Sequence, residues 1–303
     1  MKTESVFRGW LIHELGDKIN HKNCEVDVFE IVPASHTVCR YKFRGEKYSV
    51  VGKFFAEPKG KIKKYDYQKA MMNEFKKLEK IKDVVNISRP IAVNKHFNCV
   101  MITEYISGKP LSWYFEHDQF VKKHLSEVSK LLRKLHENKQ NYYNKKRDFA
   151  DFHQVLNNLH LGHSKRDDFN RLLGEWWYSS RIEQKHGSMI HQDATLVNYI
   201  FSHGKPHAID FESSLYNANY IRDLGVLCAE IKNHHALRGD DKKAEPYIRH
   251  FLKSYSKDEG ELYRIESTLP FFMSYGLLRE ARICHDYGHR DYLIREAINY
   301  LKF

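Results

Sequence analysis

The sequence predicts an α+β fold, in which a small antiparallel β-sheet with one helix is followed by a larger, mainly helical part. Three observations support this prediction. Residues 26–55 read as short strands separated by a turn, residues 65–81 have the periodicity of an amphipathic helix, and most of the C-terminal half has helical periodicity. With 303 residues the chain is long enough for two lobes with ample core, and we expect them at residues 1–106 and 107–303.

The strands of the N-terminal part are predicted to form a β-meander. Residues 26–32, 36–43 and 48–55 are its three strands, and Arg44-Gly45-Glu46-Lys47 is the turn before the third. Residues 99–108 contain a further apolar strand, which ends in a polar segment closed by a glycine. The short connections within the meander are typical of an antiparallel sheet.

A lysine and a glutamate lie where the sequence predicts buried faces. In the third strand, alternation places Lys53 on the same face as Val51 and Phe55. In the helix over residues 65–81, Glu74 lies within the apolar stripe, which consists of Met71, Phe75, Leu78 and Ile81. A buried charge is costly unless an opposite charge pairs with it, so we predict an ion pair between Lys53 and Glu74. The alternative is that both side chains face water.

The C-terminal part is predicted to be helical because its apolar residues recur at helical spacing. The predicted helices are residues 119–137, 167–184, 220–234, 242–255, 261–285 and 291–301. Trp176 and Trp177 lie in the second of these helices. For both tryptophans, a place in the core is favoured over a role as a platform for a substrate.

Composition and charge limit the classes of function. The hydrophobic fraction of 42% and the absence of a run of 18 apolar residues predict a globular chain without a membrane span. The five scattered cysteines form no C-x-x-C, so neither a disulfide framework nor a zinc site is indicated, and a cytoplasmic location is expected. The net charge of +11 could attract nucleic acid, but no nucleic-acid motif is present. A solvated, lysine-rich surface is therefore favoured.

One stretch has the pattern of a phosphoryl-transfer site. His191 and Asp193 form His-x-Asp, Asn198 follows five residues after the aspartate, and Asp210-Phe211 follows twelve residues later. Phosphoryl transfer needs a carboxylate that accepts the proton of the acceptor hydroxyl, and an amide oxygen and a second carboxylate that hold Mg²⁺. The pattern matches the protein-kinase motifs, although Gln and Glu replace the Arg and the last Gly. With His-x-Asp alone, a turn-forming surface loop would be favoured.

The residues between Asn198 and Asp210 predict a β-hairpin. Residues 199–201 are β-like, residues 202–205 read as a turn, and residues 206–209 lead back to the aspartate. Such a hairpin would bring Asn198 and Asp210 to adjacent strand ends, as shared ligation of a metal ion requires.

Two upstream segments contain further candidates for nucleotide binding. In kinases the first hairpin covers the triphosphate and normally carries glycines. Here residues 33–37 contain no glycine, and the candidate phosphate donors are the hydroxyls of Ser35 and Thr37 together with backbone N–H groups. Residues 99–108 correspond to the strand that becomes the hinge, where the backbone of Glu104 would accept a hydrogen bond from adenine and that of Ile106 would donate one.

Together, these features resemble the aminoglycoside phosphotransferase and choline kinase superfamily of protein-kinase-like small-molecule kinases. The resemblance extends from about residue 26 to residue 230. Asp210-Phe211-Glu212 in place of D-F-G is similar to the small-molecule branch, and no Ala-Pro-Glu motif is visible. The other matching segments are Val51-Gly52-Lys53-Phe54, Asn73-Glu74, residues 102–108, residues 132–136 and Asp223-Leu224-Gly225. The resemblance implies a protein-kinase-like fold with two lobes.

The resemblance also implies a role for each candidate residue. Asp193 would be the catalytic base, and Asn198 and Asp210 would bind Mg²⁺. Lys53 would hold the α- and β-phosphates of ATP, and Glu74 would orient Lys53.

Two more residues would have supporting roles by the same resemblance. Asp223 is similar to the buried aspartate that braces the catalytic loop. His191 would support the catalytic loop from behind.

The sequence therefore predicts an enzyme that uses ATP and Mg²⁺ to phosphorylate a hydroxyl group of a small molecule. Two alternatives stay open, namely a kinase that acts on a protein side chain and a pseudokinase that serves as a binding module. Because 50 Lys and Arg outnumber 39 Asp and Glu, we expect an acceptor that is neutral or anionic. Its binding residues are expected within residues 140–190 and 230–303. Acidic residues there could still form a local pocket: Glu175, Glu183, Glu259, Glu261, Glu266 and Glu280.

Overall fold

The structure is a computed structural model that describes residues 5–59, 65–137 and 142–302. The chain divides into two compact units. The first comprises the residues up to Gly108 together with His207–Glu212, and the second comprises Lys109–Pro206 and the residues from Ser213 onward. The segment His207–Glu212, which the sequence analysis assigned to the second domain, thus groups with the first unit. The assignment of nucleotide binding to the first unit and of acceptor binding to the second stays a prediction.

A five-stranded antiparallel sheet forms the centre of the first unit. Its strands are β1 (Val26–Glu30), β2 (His36–Phe43), β3 (Ser49–Pro58), β4 (Pro90–Asn94) and β5 (Val100–Glu104), in the order β1-β2-β3-β5-β4. Lys53 lies opposite Val38 on β2 and Met101 on β5, which makes β3 the central strand. The predicted meander is present, and β4 is an addition that the sequence analysis did not foresee.

Within its described residues, the first unit contains the predicted α-helix and one more. The predicted helix is α2 (Tyr67–Ile81), which begins after Asp66, whose side chain accepts a hydrogen bond from the Lys69 N–H. The additional helix is α1 (Val6–Leu15), which has no side-chain cap at its N-terminus. Leu11 and Leu15 of α1 belong to the buried cluster that contains Phe43, Val50, Val100 and Ile102 of the sheet. Tertiary packing therefore stabilises a segment whose local signals for a helix are weak.

The second unit is mainly helical, as predicted. Its helices are α3 (Leu111–Glu116), α4 (Val121–His136), α5 (Lys145–Leu159), α6 (His163–Tyr178), α7 (Ile221–Ala236), α8 (Glu245–Tyr255), α9 (Glu259–Ile283) and α10 (Tyr287–Leu301). Helices α3 and α5 were not predicted, and α6 begins and ends earlier than the predicted helix over residues 167–184. Among the described helices, none is both long enough and apolar enough to cross a membrane.

Five short strands complete the part of the chain that the structure describes. They are β6 (Lys109–Pro110), β7 (Ser188–Ile190), β8 (Tyr199–Ser202), β9 (Lys205–Ala208) and β10 (Leu215–Ala218). Strand β7 pairs with β10, and β6 pairs with β8. The turn at His203-Gly204 joins β8 to β9, so the hairpin predicted after Asn198 is present.

Helices α7 and α9 approach each other closely because two glycines lie at their contact. A Cβ atom on Gly225 of α7 would lie 2.4 Å from the Cβ of Phe272, and one on Gly276 of α9 would lie 2.6 Å from the Cβ of Ala229. The glycine of the Asp223-Leu224-Gly225 segment therefore has a packing role. A buried ion pair near this contact joins Arg222 to Asp148 at 3.1 Å.

The two tryptophans of α6 differ in their surroundings. Trp176 is buried, and its Nε1 donates a hydrogen bond to the Leu301 carbonyl at 2.9 Å, so its prediction as a core residue is confirmed. Trp177 is partly exposed, packs edge-on against Phe149 and lies beneath the ammonium group of Lys145. These contacts indicate that Trp177 also has a packing role.

Candidate active site

In the first unit, Lys53 on β3 contacts three carboxylates. Its Nζ atom lies 3.0 Å from Glu74 Oε2, 2.8 Å from Asp210 Oδ1 and 2.9 Å from Glu212 Oε2. The pair between Lys53 and Glu74 that the two periodicities predict is therefore present. Asp210 and Glu212 follow β9, so one lysine connects the central strand, helix α2 and the Asp-Phe-Glu segment.

The position of Glu74 follows from the periodicity of α2 and from a hydrogen bond to its second carboxylate oxygen. It lies on the buried face of the helix with Met71 and Leu78, and its side chain is 3% exposed. Its Oε1 atom accepts a hydrogen bond from the Phe211 N–H at 3.1 Å, while the Phe211 ring is fully buried. Glu74 thus fixes Lys53 and the backbone of the Asp-Phe-Glu segment at the same time.

Burial and charge act in opposite directions on this cluster. Burial raises the pKa of Glu74 to about 7, although the neighbouring ammonium group of Lys53 lowers it. Burial alone would lower the pKa of Lys53, but the carboxylates of Glu74, Asp210 and Glu212 outweigh it and raise that pKa well above its usual value. The lysine is therefore charged at neutral pH, and the negative charge of the carboxylates around it exceeds its single positive charge.

Glu212 has its own set of contacts, which sequence reasoning did not anticipate. Its carboxylate accepts a hydrogen bond from the Tyr65 hydroxyl, and one of its oxygens lies 3.6 Å from His36 Nδ1. Tyr65 in turn lies 3.2 Å from His36 Nε2. Burial lowers the pKa of His36, so this contact joins a carboxylate to a neutral imidazole. Lys77 donates to the Glu212 carbonyl at 2.9 Å, which holds the backbone in place.

The candidate phosphate donors lie in the same unit. The Ser35 hydroxyl is 3.1 Å from His36 Nδ1, and Thr37 lies on β2 opposite Phe54 of β3. Thr37 is next to Val38, the residue of β2 that lies opposite Lys53, and Ser35 directly precedes β2. Their role in phosphate binding stays a prediction.

The candidate hinge residues lie at the end of β5. The Glu104 N–H donates to the Arg89 carbonyl at 2.9 Å, and the Glu104 carbonyl accepts a hydrogen bond from the Ser88 hydroxyl at 2.5 Å. A carbonyl oxygen has two lone pairs, so the Glu104 carbonyl can accept a second hydrogen bond. Ile106 follows β5 directly. The roles of Glu104 and Ile106 towards adenine stay predictions.

In the second unit, Asp223 at the start of α7 braces the loop that carries Asp193. Its carboxylate accepts hydrogen bonds from the His191 N–H at 2.7 Å and the Gln192 N–H at 2.8 Å. It also lies 2.9 Å from His136 Nε2. Burial would raise the pKa of Asp223, but these hydrogen bonds and the neighbouring histidines outweigh it and lower that pKa. The fully buried aspartate is therefore ionised and holds the loop from the side of α7.

Asn198 contacts the candidate base directly. Its Nδ2 atom donates to the Asp193 carbonyl and to Asp193 Oδ2, both at 2.9 Å. The amide nitrogen is committed to Asp193, so the amide oxygen is the atom of Asn198 that can ligate a cation. The other carboxylate oxygen of Asp193, Oδ1, accepts a hydrogen bond from Arg279 on α9.

No family model matches the chain, and no curated protein matches it. Among solved structures, an ethanolamine kinase from Plasmodium vivax has a TM-score of 0.64 at 14% identity, over 97% of this chain and 86% of that chain. A choline kinase from Cryptosporidium parvum Iowa II has a TM-score of 0.60 at 14% identity, over 98% of this chain and 94% of that chain.

A third solved structure is the ternary complex of APH(2″)-IIa with streptomycin and ATP. It has a TM-score of 0.60 at 13% identity, and the match covers 100% of both chains. The fold is protein-kinase-like. The resemblance to the aminoglycoside phosphotransferase and choline kinase superfamily that the motifs indicate is thus confirmed at the level of the fold.

Sequence reasoning missed four contacts of the candidate residues. In the first unit, Glu212 belongs to the Asp-Phe-Glu segment and His36 lies between Ser35 and Thr37, but the contact of Glu212 with Lys53 and the contacts of Tyr65 and His36 with Glu212 were not predicted. In the second unit, Arg279 lies 86 residues from Asp193, and no motif includes it.

Proposed function

We propose that this protein transfers the γ-phosphoryl group of ATP to a hydroxyl group of a small molecule. The observation that carries the proposal is the largely buried side chain of Lys53, which lies 3.0 Å from Glu74 and 2.8 Å from Asp210. A lysine oriented by a helix carboxylate is the group with which kinases bind ATP phosphates. The solved structures of similar fold, which include an ethanolamine kinase and a choline kinase, support the same class of reaction.

Each candidate residue has a chemical role in this proposal. Lys53 binds the α- and β-phosphates, which replace carboxylate oxygens as acceptors of its N–H groups. Asp193 accepts the proton of the acceptor hydroxyl, and Asn198 fixes its orientation through Oδ2. Because phosphoryl transfer involves little covalent chemistry on the protein, correct positioning of these groups accounts for most of the rate.

The donor atoms fit a magnesium ion. The carboxylate oxygens of Glu74, Asp210 and Glu212 lie within 4.8 Å of one another, and such hard oxygen ligands suit Mg²⁺. In this proposal Asp210 supplies a carboxylate oxygen and Asn198 an amide oxygen to the ion. When bound, Mg²⁺ neutralises charge on the ATP phosphates.

Magnesium should bind weakly to the protein alone and clearly in the presence of ATP. Without nucleotide, the ammonium group of Lys53 contacts Glu74, Asp210 and Glu212 and opposes a second cation there. ATP would draw Lys53 towards its phosphates and add oxygen ligands. Isothermal titration of Mg²⁺ with and without a non-hydrolysable ATP analogue measures the difference. Tight Mg²⁺ binding to the protein alone that survives Asp210→Asn would contradict the assignment.

Glu74→Gln should reduce turnover by less than about tenfold, which corresponds to about 1.4 kcal/mol. The pKa of Glu74 is raised to about 7, so its neutral form is well populated near neutral pH and glutamine resembles it. Lys53 also keeps its contacts with Asp210 and Glu212. The loss should grow with rising pH, because the wild-type carboxyl ionises and glutamine cannot. The kcat of both proteins between about pH 6 and 8 tests this, and a loss that shrinks with pH would refute it.

The acceptor is proposed to be neutral or anionic. The chain is basic overall, and Arg279 places a guanidinium group directly on Asp193. Glu280, one of the acidic residues that could form a local pocket, is partly buried, desolvation raises its pKa, and its carboxylate accepts a hydrogen bond from Asn233. A polycation would meet like charge at the base. Residues 140, 141 and 303 of the predicted acceptor region lie outside the described residues.

An ATP-consumption assay against an acceptor panel tests the proposed function. The panel contains sugars, polyols, nucleoside-like metabolites, phosphorylated alcohols, kanamycin-type compounds and casein-type proteins. We expect turnover with at least one neutral or anionic small molecule. Turnover with casein alone would favour a protein kinase, and ATP binding without any turnover would favour a binding module. Efficient use of kanamycin-type compounds would overturn the predicted charge of the acceptor.

A further inference from the structure

We infer that Arg279 on α9 is a positioning residue that fixes the carboxylate of Asp193 for proton transfer. The inference rests on the proposed function, because it assigns Asp193 as the base. No motif in the sequence marks Arg279, and the resemblance stated above attributes no role to it. Its contacts, the backbone conformation of the loop and the packing of α9 support the inference together.

The guanidinium group of Arg279 binds two consecutive residues of the loop. Its Nη1 donates to the Gln192 carbonyl at 2.9 Å, and its Nη2 donates to Asp193 Oδ1. The two nitrogens form a rigid planar fork, so they fix the side chain of Asp193 relative to the backbone of the preceding residue. A lysine at this position would present a single nitrogen and would lack the fixed geometry of two donor nitrogens.

The loop needs such support because Gln192 has a left-handed backbone conformation. Its φ angle is +68°, which a residue with a Cβ atom adopts only when its surroundings hold it there. Asp223 of α7 accepts hydrogen bonds from the N–H groups of His191 and Gln192. Arg279 of α9 donates to the carbonyl of Gln192. A residue of α7 therefore binds the N–H donors of His191 and Gln192, and a residue of α9 binds the carbonyl acceptor of Gln192.

The two carboxylate oxygens of Asp193 are held by different residues. Asn198 donates to Oδ2 and Arg279 donates to Oδ1. A carboxylate oxygen can accept more than one hydrogen bond. Both oxygens of Asp193 can therefore still accept the proton of the hydroxyl group that is to be phosphorylated. Without Arg279, only one oxygen would be anchored, and the carboxylate could rotate about the bond to Cβ. This loss concerns the chemical step rather than the binding of ATP.

The packing of α9 determines where Arg279 lies. Gly276, one turn earlier on α9, allows the close contact with Ala229 of α7. Arg279 is therefore carried on a helix whose distance from α7 is fixed by backbone contact. Its side chain is 23% exposed, so it extends from this rigid helix to the partly exposed Asp193.

Hydrogen exchange and kinetics of Arg279→Met and Arg279→Lys test the inference, with Arg282→Met as the control. Arg282 is exposed on the same helix and lies three residues further along. In Arg279→Met, amide exchange of residues 189–198 should accelerate about tenfold or more, and kcat should fall about 10²-fold. The KM for ATP should stay within about threefold of the wild type. Arg279→Lys should have an exchange rate and a kcat between those of the wild type and Arg279→Met. Arg282→Met should match the wild type in both.

Chemical rescue separates positioning from a general effect on stability. Added guanidinium ion should restore part of the kcat of Arg279→Ala and none of that of Asp193→Asn. Unchanged exchange together with unchanged kcat in Arg279→Met would overturn the inference, as would a rise in the KM for ATP at constant kcat. If Arg279→Met does not fold, Arg279→Lys is used to test the inference instead. Amide exchange and kcat equal to those of the wild type in Arg279→Lys would then count against the inference. If the wild type phosphorylates no acceptor, the proposed function fails, but the exchange measurements still decide whether Arg279 fixes the loop.

Discussion

Replacement of Lys53 by methionine is expected to reduce turnover by about 10²–10³-fold. Methionine keeps most of the apolar stem but removes the ammonium group that contacts Glu74, Asp210 and Glu212. The phosphates of ATP would then lose their cation, and the carboxylates of Asp210 and Glu212 would repel the nucleotide. We therefore expect a higher KM for ATP together with a lower kcat, measured by steady-state kinetics with the best acceptor of the panel.

The matched control for this variant is Lys42→Met. Lys42 lies on β2 of the same sheet and is exposed, so its loss should change kcat and the KM for ATP by less than about twofold. Thermal unfolding of both variants shows how much of any loss comes from stability. A fully active Lys53→Met enzyme would mean that the nucleotide site has been assigned to the wrong residues.

Asp193→Asn is expected to retain ATP affinity and to lose phosphoryl transfer by about 10²–10⁴-fold. The amide has nearly the shape of the carboxylate, so Arg279 can still donate to its oxygen. It cannot accept the proton of the acceptor hydroxyl at neutral pH. The measurement is kcat with the true acceptor beside the dissociation constant of ATP from calorimetry. Asp168→Asn, an exposed residue on α6 of the same unit, is the control and should behave as the wild type.

Two outcomes would contradict the role of Asp193. Turnover within about threefold of the wild type would show that another group accepts the proton. A large loss of ATP affinity with little change in kcat would move Asp193 from the chemical step to nucleotide binding.

Periodicity alone predicted the central ion pair of the first unit. Alternation in β3 placed Lys53 on a buried face, and the 3.6-residue repeat of α2 placed Glu74 in an apolar stripe. Each charge is costly when buried alone, so the two patterns together required a partner for each. Local patterns also predicted the hairpin after Asn198, because two β-like segments are separated there by a short turn signal.

The residues that the sequence did not reveal are brought in by tertiary contacts. Tyr65 donates a hydrogen bond to Glu212, although 147 positions separate them in the sequence. Arg279 donates one to Asp193, from which it is separated by 86 positions. Neither pair belongs to one periodic element, so no local pattern records it. Helix α1 is a similar case, since its residues pack into the core of the sheet but its start lacks a capping side chain. Local patterns predicted the candidate segments, and the fold determines which distant side chains contact them.

The most direct test of the proposed function is ³¹P NMR of the wild-type protein with ATP, Mg²⁺ and the best small-molecule acceptor. The proposal predicts that the γ-phosphate signal disappears while ADP and a phosphate monoester of the acceptor appear in equal amounts. Asp193→Asn, mixed with the same components, should leave the ATP spectrum nearly unchanged over the same period. ADP and inorganic phosphate formed at the same rate with and without acceptor, or intact ATP in the presence of every acceptor, would contradict the proposal.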